Sequence, residues 1–232
     1  MDDSLMLARP APTPQRPLLG QTVLLVEDSR FASEAIRLLA LRSGARIRRA
    51  DCIASAERHL LTYRAGIAIV DLGLPDGSGL GLLERLDRAN QRPLVLLGTS
   101  GQEPAAAREA ALGAGADGFL PKPIESLAAF QQAILRHMPS ELWPRGLRSV
   151  GSERVEPDRL ALSEDLIYAG RMLDDERVPT RFVAEFLTGL ARTDGDAELL
   201  SRTEGLAART IEDLRPVLRA LISERLEARR VV

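Results

Sequence analysis

Apolar residues in the first 138 positions follow two alternating patterns. Five short runs, four of them almost wholly apolar and one charged, have the length of strands: 22–26, 46–50, 67–70, 94–97 and 118–120. Five further segments carry apolar residues at helical spacing: 31–41, 54–63, 80–89, 105–112 and 124–137. Strands that alternate with helices in this way predict a parallel sheet covered by helices on both faces.

The pattern changes after residue 138. Prolines and glycines in 139–157 indicate a linker, and from residue 158 onward only helical periodicity remains. Pro157, Pro179 and Asp196 stand where helices could begin, and Pro216 interrupts the apolar pattern of 199–226, which predicts two helices or one kinked helix. We expect about four helices in a small all-α domain at 158–232 that pairs with a second copy of the chain.

Four prolines in the first 19 residues exclude a regular helix or a central strand there: Pro10, Pro12, Pro14 and Pro17. We therefore expect a mobile tail at 1–19. The predicted organisation is this tail, an α/β domain at 20–138, a linker at 139–157 and the helical domain at 158–232.

Composition and charge exclude several classes of protein. The net charge is -2, and the segment 140–232 has 15 arginines against 18 acidic residues, so nucleic acid is an improbable partner. No apolar run reaches the length of a membrane span, and the first residues lack the pattern of a signal peptide. Cys52 is the only cysteine, which excludes an intrachain disulfide and fits a cytoplasmic protein.

Polar residues that could take part in catalysis or metal binding follow the strands of the predicted sheet. The carboxyl ends of parallel strands meet at one rim, where ligands bind in open α/β sheets. Three carboxylates, a hydroxyl and an ammonium are expected there: Glu27, Asp28, Asp71, Thr99 or Ser100, and Lys122. Clustered carboxylates repel one another unless a cation joins them, and oxygen ligands favour Mg²⁺. A carboxylate beside this metal can act as the nucleophile toward a phosphoryl donor.

Lys122 supports the same chemistry because it is the only lysine among 31 basic residues. The other 30 are arginines, so the composition favours arginine wherever it is tolerated. An ammonium is a compact charge on a flexible stem, whereas a guanidinium is a wide planar fork. We interpret Lys122 as a cation inserted beside a carboxylate cluster or a phosphoryl group, where arginine would not fit.

Three segments together resemble the receiver domain of two-component response regulators. They are the run from Val23 to Ser29, the run from Val70 to Gly77, and the run from Gly115 to Pro123. The resemblance covers about residues 20–138 and implies a five-stranded parallel, doubly wound fold of the flavodoxin-like type.

The resemblance also implies roles for individual residues. Asp71 would accept a phosphoryl group from a histidine kinase or a histidine phosphotransfer protein. Mg²⁺ would be held by Glu27, Asp28, Asp71 and the backbone carbonyl of Gly73. Lys122 would contact the phosphoryl oxygens, and Phe119 occupies the position of the aromatic switch residue.

The hydroxyl residue of the site has two candidates. The family places a serine or threonine at the end of the fourth strand, followed by a small residue. Counting back from Lys122 selects Ser100, followed by Gly101, whereas counting forward from Pro93 lands on Gly98, with Thr99 next. Ser100 is slightly favoured, and Thr99 stays an alternative.

The main functional hypothesis is a signalling phosphoacceptor whose helical half dimerises or binds a protein partner, and not an enzyme acting on an external substrate. Phosphorylation of Asp71 would shift the face formed by the fourth and fifth strands. One rival is a scaffold that binds its partner without phosphate. Another is a transcription regulator with an unfamiliar helical DNA-binding domain, which the acidic balance disfavours.

Overall fold

A five-stranded parallel sheet forms the centre of the first half of the chain. The computed structural model describes residues 11–124, 126–146, 158–206 and 214–230. The strands of the central sheet lie in the order β2-β1-β3-β6-β7. Their bounds are β1 Thr22–Val26, β2 Arg46–Ala50, β3 Ile67–Asp71, β6 Val95–Ser100 and β7 Gly118–Pro121.

Five helices cover this sheet. They are α1 Arg30–Arg42, α2 Ile53–Thr62, α3 Gly79–Asp87, α4 Pro104–Gly113 and α5 Leu127–Leu135. Alternate residues of a strand point to opposite faces, so β1 contributes to two cores. Leu24 and Val26 lie in one apolar cluster, and Val23 and Leu25 lie in the other. The prediction of a doubly wound α/β domain is confirmed.

The second half is helical throughout its described residues. Its helices are α6 Arg159–Asp174, α7 Thr180–Asp194, α8 Ala197–Thr203 and α9 Leu214–Arg230. Pro179 precedes α7, and the Asp196 side chain accepts from the Leu199 N–H to cap α8. Pro216 lies in the first turn of α9, where its missing N–H costs no hydrogen bond. The described part of 199–226 therefore contains two helices, one of the two predicted alternatives.

The helical half packs against the α/β domain through α1. Phe31 of α1 belongs to the same apolar cluster as the core of α6 and α7. An edge-to-face contact between Tyr168 and Phe186, with ring centroids 5.7 Å apart, joins α6 to α7. No helix within the described ranges is long and apolar enough to cross a bilayer.

Several boundaries differ from the sequence-based expectations. The strand expected at 94–97 continues to Ser100, because Thr99 and Ser100 are buried and pair with β7. A short hairpin, β4 Gly73–Leu74 and β5 Gly77–Ser78, lies between β3 and α3, where the apolar pattern predicted no strand. The last helix of the α/β domain begins at Leu127, later than expected, because the Ser126 hydroxyl caps it by accepting from the Ala129 N–H.

The two segments expected to lack packing are partly packed. Residues 1–10 and 147–157 lie outside the described residues, as does the expected helix start at Pro157. Within the described remainder of the expected tail, Leu18 is fully buried in an apolar cluster. In the expected linker, Ser140–Leu142 forms a 3-10 helix, and the Trp143 ring N–H donates to the Met138 carbonyl over 2.9 Å. Apolar side chains in both segments explain why packing extends into them.

Leu187 tests whether the helical half has a core of its own. Leu187 is fully buried in α7, whereas Leu160 at the start of α6 is 64% exposed. We expect Leu187→Ala to lower the free energy of unfolding by about 2–5 kcal/mol because it leaves a cavity. The matched change Leu160→Ala should cost less than about 0.5 kcal/mol. Urea denaturation followed by circular dichroism measures both, and equal effects would contradict a packed core around Leu187.

Candidate functional site at the carboxyl ends of the strands

The parallel register brings the predicted site residues to one rim. Glu27 and Asp28 directly follow β1, Asp71 is the last residue of β3, and Lys122 directly follows β7. Asp71 pairs with Thr99, and Ser100 pairs with Pro121, so neighbouring strands end at the same level. Residues far apart in the sequence therefore meet above the sheet, as expected for this fold.

Three carboxylates form the base of the site. One oxygen from each of Glu27, Asp28 and Asp71 lies within 4.8 Å of the others. All three residues are buried, with exposed fractions of 3%, 8% and 7%. Bringing three negative charges together away from water is unfavourable unless cations or protons compensate them.

Lys122 provides part of that compensation. Its ammonium nitrogen lies 2.5 Å from a Glu27 carboxylate oxygen and donates to Asp71 Oδ2 over 2.7 Å. The Lys122 side chain is as buried as its partners. Burial alone would lower the pKa of Lys122, but attraction by Asp71 and Glu27 outweighs it and raises that pKa above the ordinary value.

The pKa values of Glu27 and Asp28 lie above the usual range of carboxylic acids. Burial is the largest cause that raises the pKa of Glu27 well above its usual range, and Lys122 opposes it only in part. Burial and repulsion by Asp71 raise the pKa of Asp28 to about 8. One positive charge is therefore too little for three buried acids, and the site favours binding a further cation.

The donor atoms fit Mg²⁺. Asp28 Oδ2 is buried and has no hydrogen-bond partner among the described residues, so it is available to a ligand. Mg²⁺ binds a small number of carboxylate oxygens in proteins and keeps several waters as its other ligands. Gly73 lines the same cavity, and its N–H donates to Asp71 Oδ1 over 3.3 Å. Glu27, Asp28 and Asp71 thus form a carboxylate cluster that could hold the metal, and Gly73 lies beside it.

The two hydroxyl candidates have different surroundings. Ser100 lines the cavity with Asp71 and Lys122, and its Oγ accepts from the Gln102 N–H. Thr99 is fully buried in β6, and its hydroxyl donates to the Leu120 carbonyl over 2.7 Å. Phe119 is buried in the apolar core with the Arg108 guanidinium 5.8 Å from its ring centre.

Helix α7 lies over this cavity, which the sequence patterns did not predict. Its side of the cavity is formed by six residues: Phe182, Glu185, Phe186, Gly189, Leu190 and Thr193. A glycine inside an amphipathic helix was the one available signal, because such a residue often marks a close approach of two backbones. The predicted output face lay on the fourth and fifth strands, and that prediction did not place α7 over the cavity.

Asp165 of α6 is the second residue that sequence reasoning missed. Its carboxylate accepts from the Ser29 hydroxyl over 2.7 Å and from the N–H groups of Arg30 and Phe31 over 2.9 and 3.0 Å. It therefore caps the first turn of α1, immediately after Asp28, and is fully buried. Burial raises the pKa of Asp165, and its hydrogen bonds at the helix N-terminus oppose that rise.

Comparisons with known proteins agree with this geometry over half of the chain. Residues 23–134 match the model of the response regulator receiver domain. The chain is 35% identical over 116 residues to the transcriptional regulatory protein PhoP of Escherichia coli K12, covering 49% of this chain and 52% of that protein. It is 32% identical over 118 residues to the KDP operon transcriptional regulatory protein KdpE of the same strain, covering 50% and 52%.

One solved structure can be compared as well. The chemotaxis response regulator CheY4 of Vibrio cholerae is 18% identical with a TM-score of 0.46, covering 51% of this chain and 98% of that chain. The chain spans about half the length of the curated relatives it matches. Residues 23–134, with their strand order and their buried acidic rim, form a response regulator receiver domain, and the helical half lies beyond the matched residues.

Proposed function

We propose that this protein is a phosphoacceptor of a two-component relay. Asp71 accepts a phosphoryl group from a histidine kinase or a histidine phosphotransfer protein in a Mg²⁺-dependent step. The observation that carries the proposal is the contact of Asp71 Oδ2 with the Lys122 ammonium inside a buried acidic cavity. A lysine that served structure alone would pair with Glu27 and Asp71 without a third buried carboxylate, that of Asp28, left uncompensated beside them.

Each residue of the rim has a part in the proposed transfer. A carboxylate oxygen of Asp71 forms the new P–O bond, while the P–N bond to the donor histidine breaks and the ring nitrogen keeps the electron pair. Lys122 offsets negative charge on the phosphoryl oxygens, and the Ser100 hydroxyl donates to one of them. Bound at Glu27, Asp28, Asp71 and the Gly73 carbonyl, Mg²⁺ would supply the remaining charge compensation.

The proposal makes the chain a signalling protein and assigns no external substrate to it. The helical half would dimerise or bind a protein partner, and dimerisation through its helices stays a prediction. The relatives are named as transcriptional regulators, but the similarity ends before the helical half. Binding of DNA by this half would require a basic surface, whereas its described arginines largely pair with acids, as Arg225 does with Asp196 at 2.9 Å.

Asp71→Asn tests the acceptor directly. With Mg²⁺ and acetyl phosphate, the intact mass of the wild-type chain should rise by one phosphoryl group, and Asp71→Asn should show no rise because an amide cannot form the acyl phosphate. Asp76→Asn is the matched control: Asp76 is exposed and accepts from the Ile53 and Ala54 N–H groups, and asparagine keeps one of these two bonds. Labelling of Asp71→Asn, or no labelling of a folded wild-type chain, would contradict the proposal.

Removal of the two candidate hydroxyls should have different effects. We expect Ser100→Ala to slow phosphorylation by acetyl phosphate by about tenfold to a hundredfold, because a donor to developing negative charge is lost. Thr99→Val should leave that rate within about twofold and instead lower stability by about 1 kcal/mol, since the Leu120 carbonyl loses its partner. Rates come from time courses of intact mass, and the reverse order would assign the role to Thr99.

The raised pKa of Asp28 predicts how stability depends on pH in metal-free protein. The pKa rises from 3.8 to about 8 on folding, so the folded state binds more protons over that range and the free energy of unfolding falls as pH increases through it. Asp28→Asn removes the loss of stability that Asp28 causes as pH increases. We therefore expect this variant to be more stable than wild type by about 1–3 kcal/mol near pH 8.5 and by less near pH 5.

Urea denaturation in EDTA at the two pH values measures the difference. Added Mg²⁺ should stabilise wild type at the higher pH, by about 2.7 kcal/mol at a hundredfold excess over its dissociation constant, and should stabilise Asp28→Asn much less. Asp76→Asn again serves as the matched change. Parallel pH profiles for wild type and Asp28→Asn would contradict the charge assignment.

A further inference from the structure

The loop after β6 and the middle of α7 meet backbone to backbone. A Cβ atom added to Gly101 would lie 2.7 Å from the Cα of Gly189, a distance that no side chain tolerates. Both contact positions are glycines, one on each half of the chain. Gly101 directly follows Ser100, so this contact lies at the edge of the cavity that contains Asp71.

Polar contacts hold the same two surfaces together. The Arg192 guanidinium of α7 donates to the Gly101 carbonyl, and the Gln102 amide donates to Glu185 over 3.3 Å. On the other side of the cavity, Asp165 accepts from the first turn of α1. Helices α6 and α7 are therefore attached on two sides of Asp71 rather than at one point.

The space left above Asp71 is small. The cavity formed by the rim and α7 has a volume of about 50 Å³, and a single water needs about 10–15 Å³ in such a measure. A wider cleft of about 1000 Å³ opens beside it, where Glu27, Asp28 and Arg30 line the wall. Waters, ions and small molecules can approach through that cleft, but a histidine on a folded protein must bring its own backbone and surrounding surface.

We propose that the helical half is a lid that closes Asp71 to a protein phosphodonor. In this proposal α7 and the donor protein bind the same surface around the cavity, so only one of them can be bound at a time. The donor has access only in the fraction of molecules in which α7 has left the 100–102 loop. Opening also uncovers the apolar side chains of Phe182 and Phe186, which line the closed cavity. This inference rests on the proposed function only for the identity of the donor.

Thiol labelling at position 71 measures access to the rim without any phosphorylation. The chain has a single cysteine, so Cys52→Ser combined with Asp71→Cys places the only thiol in the cavity. Two reagents of the same chemistry are compared on the full chain: N-ethylmaleimide, and a polyethylene-glycol maleimide of several kilodaltons. The ratio of the large-reagent rate to the small-reagent rate reports closure by α7, because intrinsic thiol reactivity cancels.

Gly101→Ala opens the lid in this background. A Cβ atom at position 101 would lie 2.7 Å from the Gly189 Cα, whereas Gly113→Ala is a matched control because a Cβ at Gly113 meets no described atom within 4 Å. We expect Gly101→Ala to raise the rate ratio by about tenfold or more, in proportion to the open fraction, and Gly113→Ala to leave it unchanged. Arg192→Ala should change the ratio in the same direction by a smaller factor and guards against misfolding of Gly101→Ala, which circular dichroism would reveal.

Two results would overturn the proposal. One is a large reagent that reacts nearly as fast as the small one in the parent background, because the rim would then be open. The other is a ratio that neither Gly101→Ala nor Arg192→Ala changes, because the contact with the 100–102 loop would then not control access. Neither result depends on phosphorylation of Asp71, so the lid and the phosphoacceptor function can fail separately.

Discussion

The ammonium of Lys122, held between Glu27 and Asp71, is the interaction on which the site depends. It joins the ends of β1 and β3 to the residue that follows β7, and so it fixes the relative positions of three strand ends. One cation cannot balance three buried carboxylates, which is why the pKa values of Glu27 and Asp28 rise. The excess of negative charge favours binding of a divalent cation at the rim, and the proposed phosphoryl transfer would use that cation.

The helical half increases this imbalance. Asp165 brings a fourth carboxylate close to the rim, and repulsion from it contributes to the raised pKa of Asp28. The hydrogen bonds of Asp165 to the first turn of α1 explain how a charge can be buried there, since they satisfy N–H groups that would otherwise face the interface. Docking of the helical half and the ionisation of the rim are therefore coupled through α1, whose first turn follows Asp28 directly.

Much of the fold and of the site could be predicted from local pattern. Apolar runs such as 67–70 specify buried parallel strands. A parallel sheet places the residues that follow its strands at one rim, so the sequence alone predicted that Asp28, Asp71 and Lys122 lie close together. The contact of Gly101 with Gly189 and the cap provided by Asp165 could not be found this way. They depend on how two domains pack, and neither periodicity nor residue type along the chain reports the relative placement of surfaces that meet only in three dimensions.

Packing between the two halves accounts for glycine, and not a larger residue, at their contact. A Cβ atom at position 101 would collide with the backbone of α7. The helical half thus requires glycine at this position. Gly101 also follows Ser100, so the proposed lid contacts the residue next to the one proposed to contact the phosphoryl group. In the proposed lid, occupancy of the rim and the position of α7 influence each other by equal free energies, as thermodynamic linkage requires.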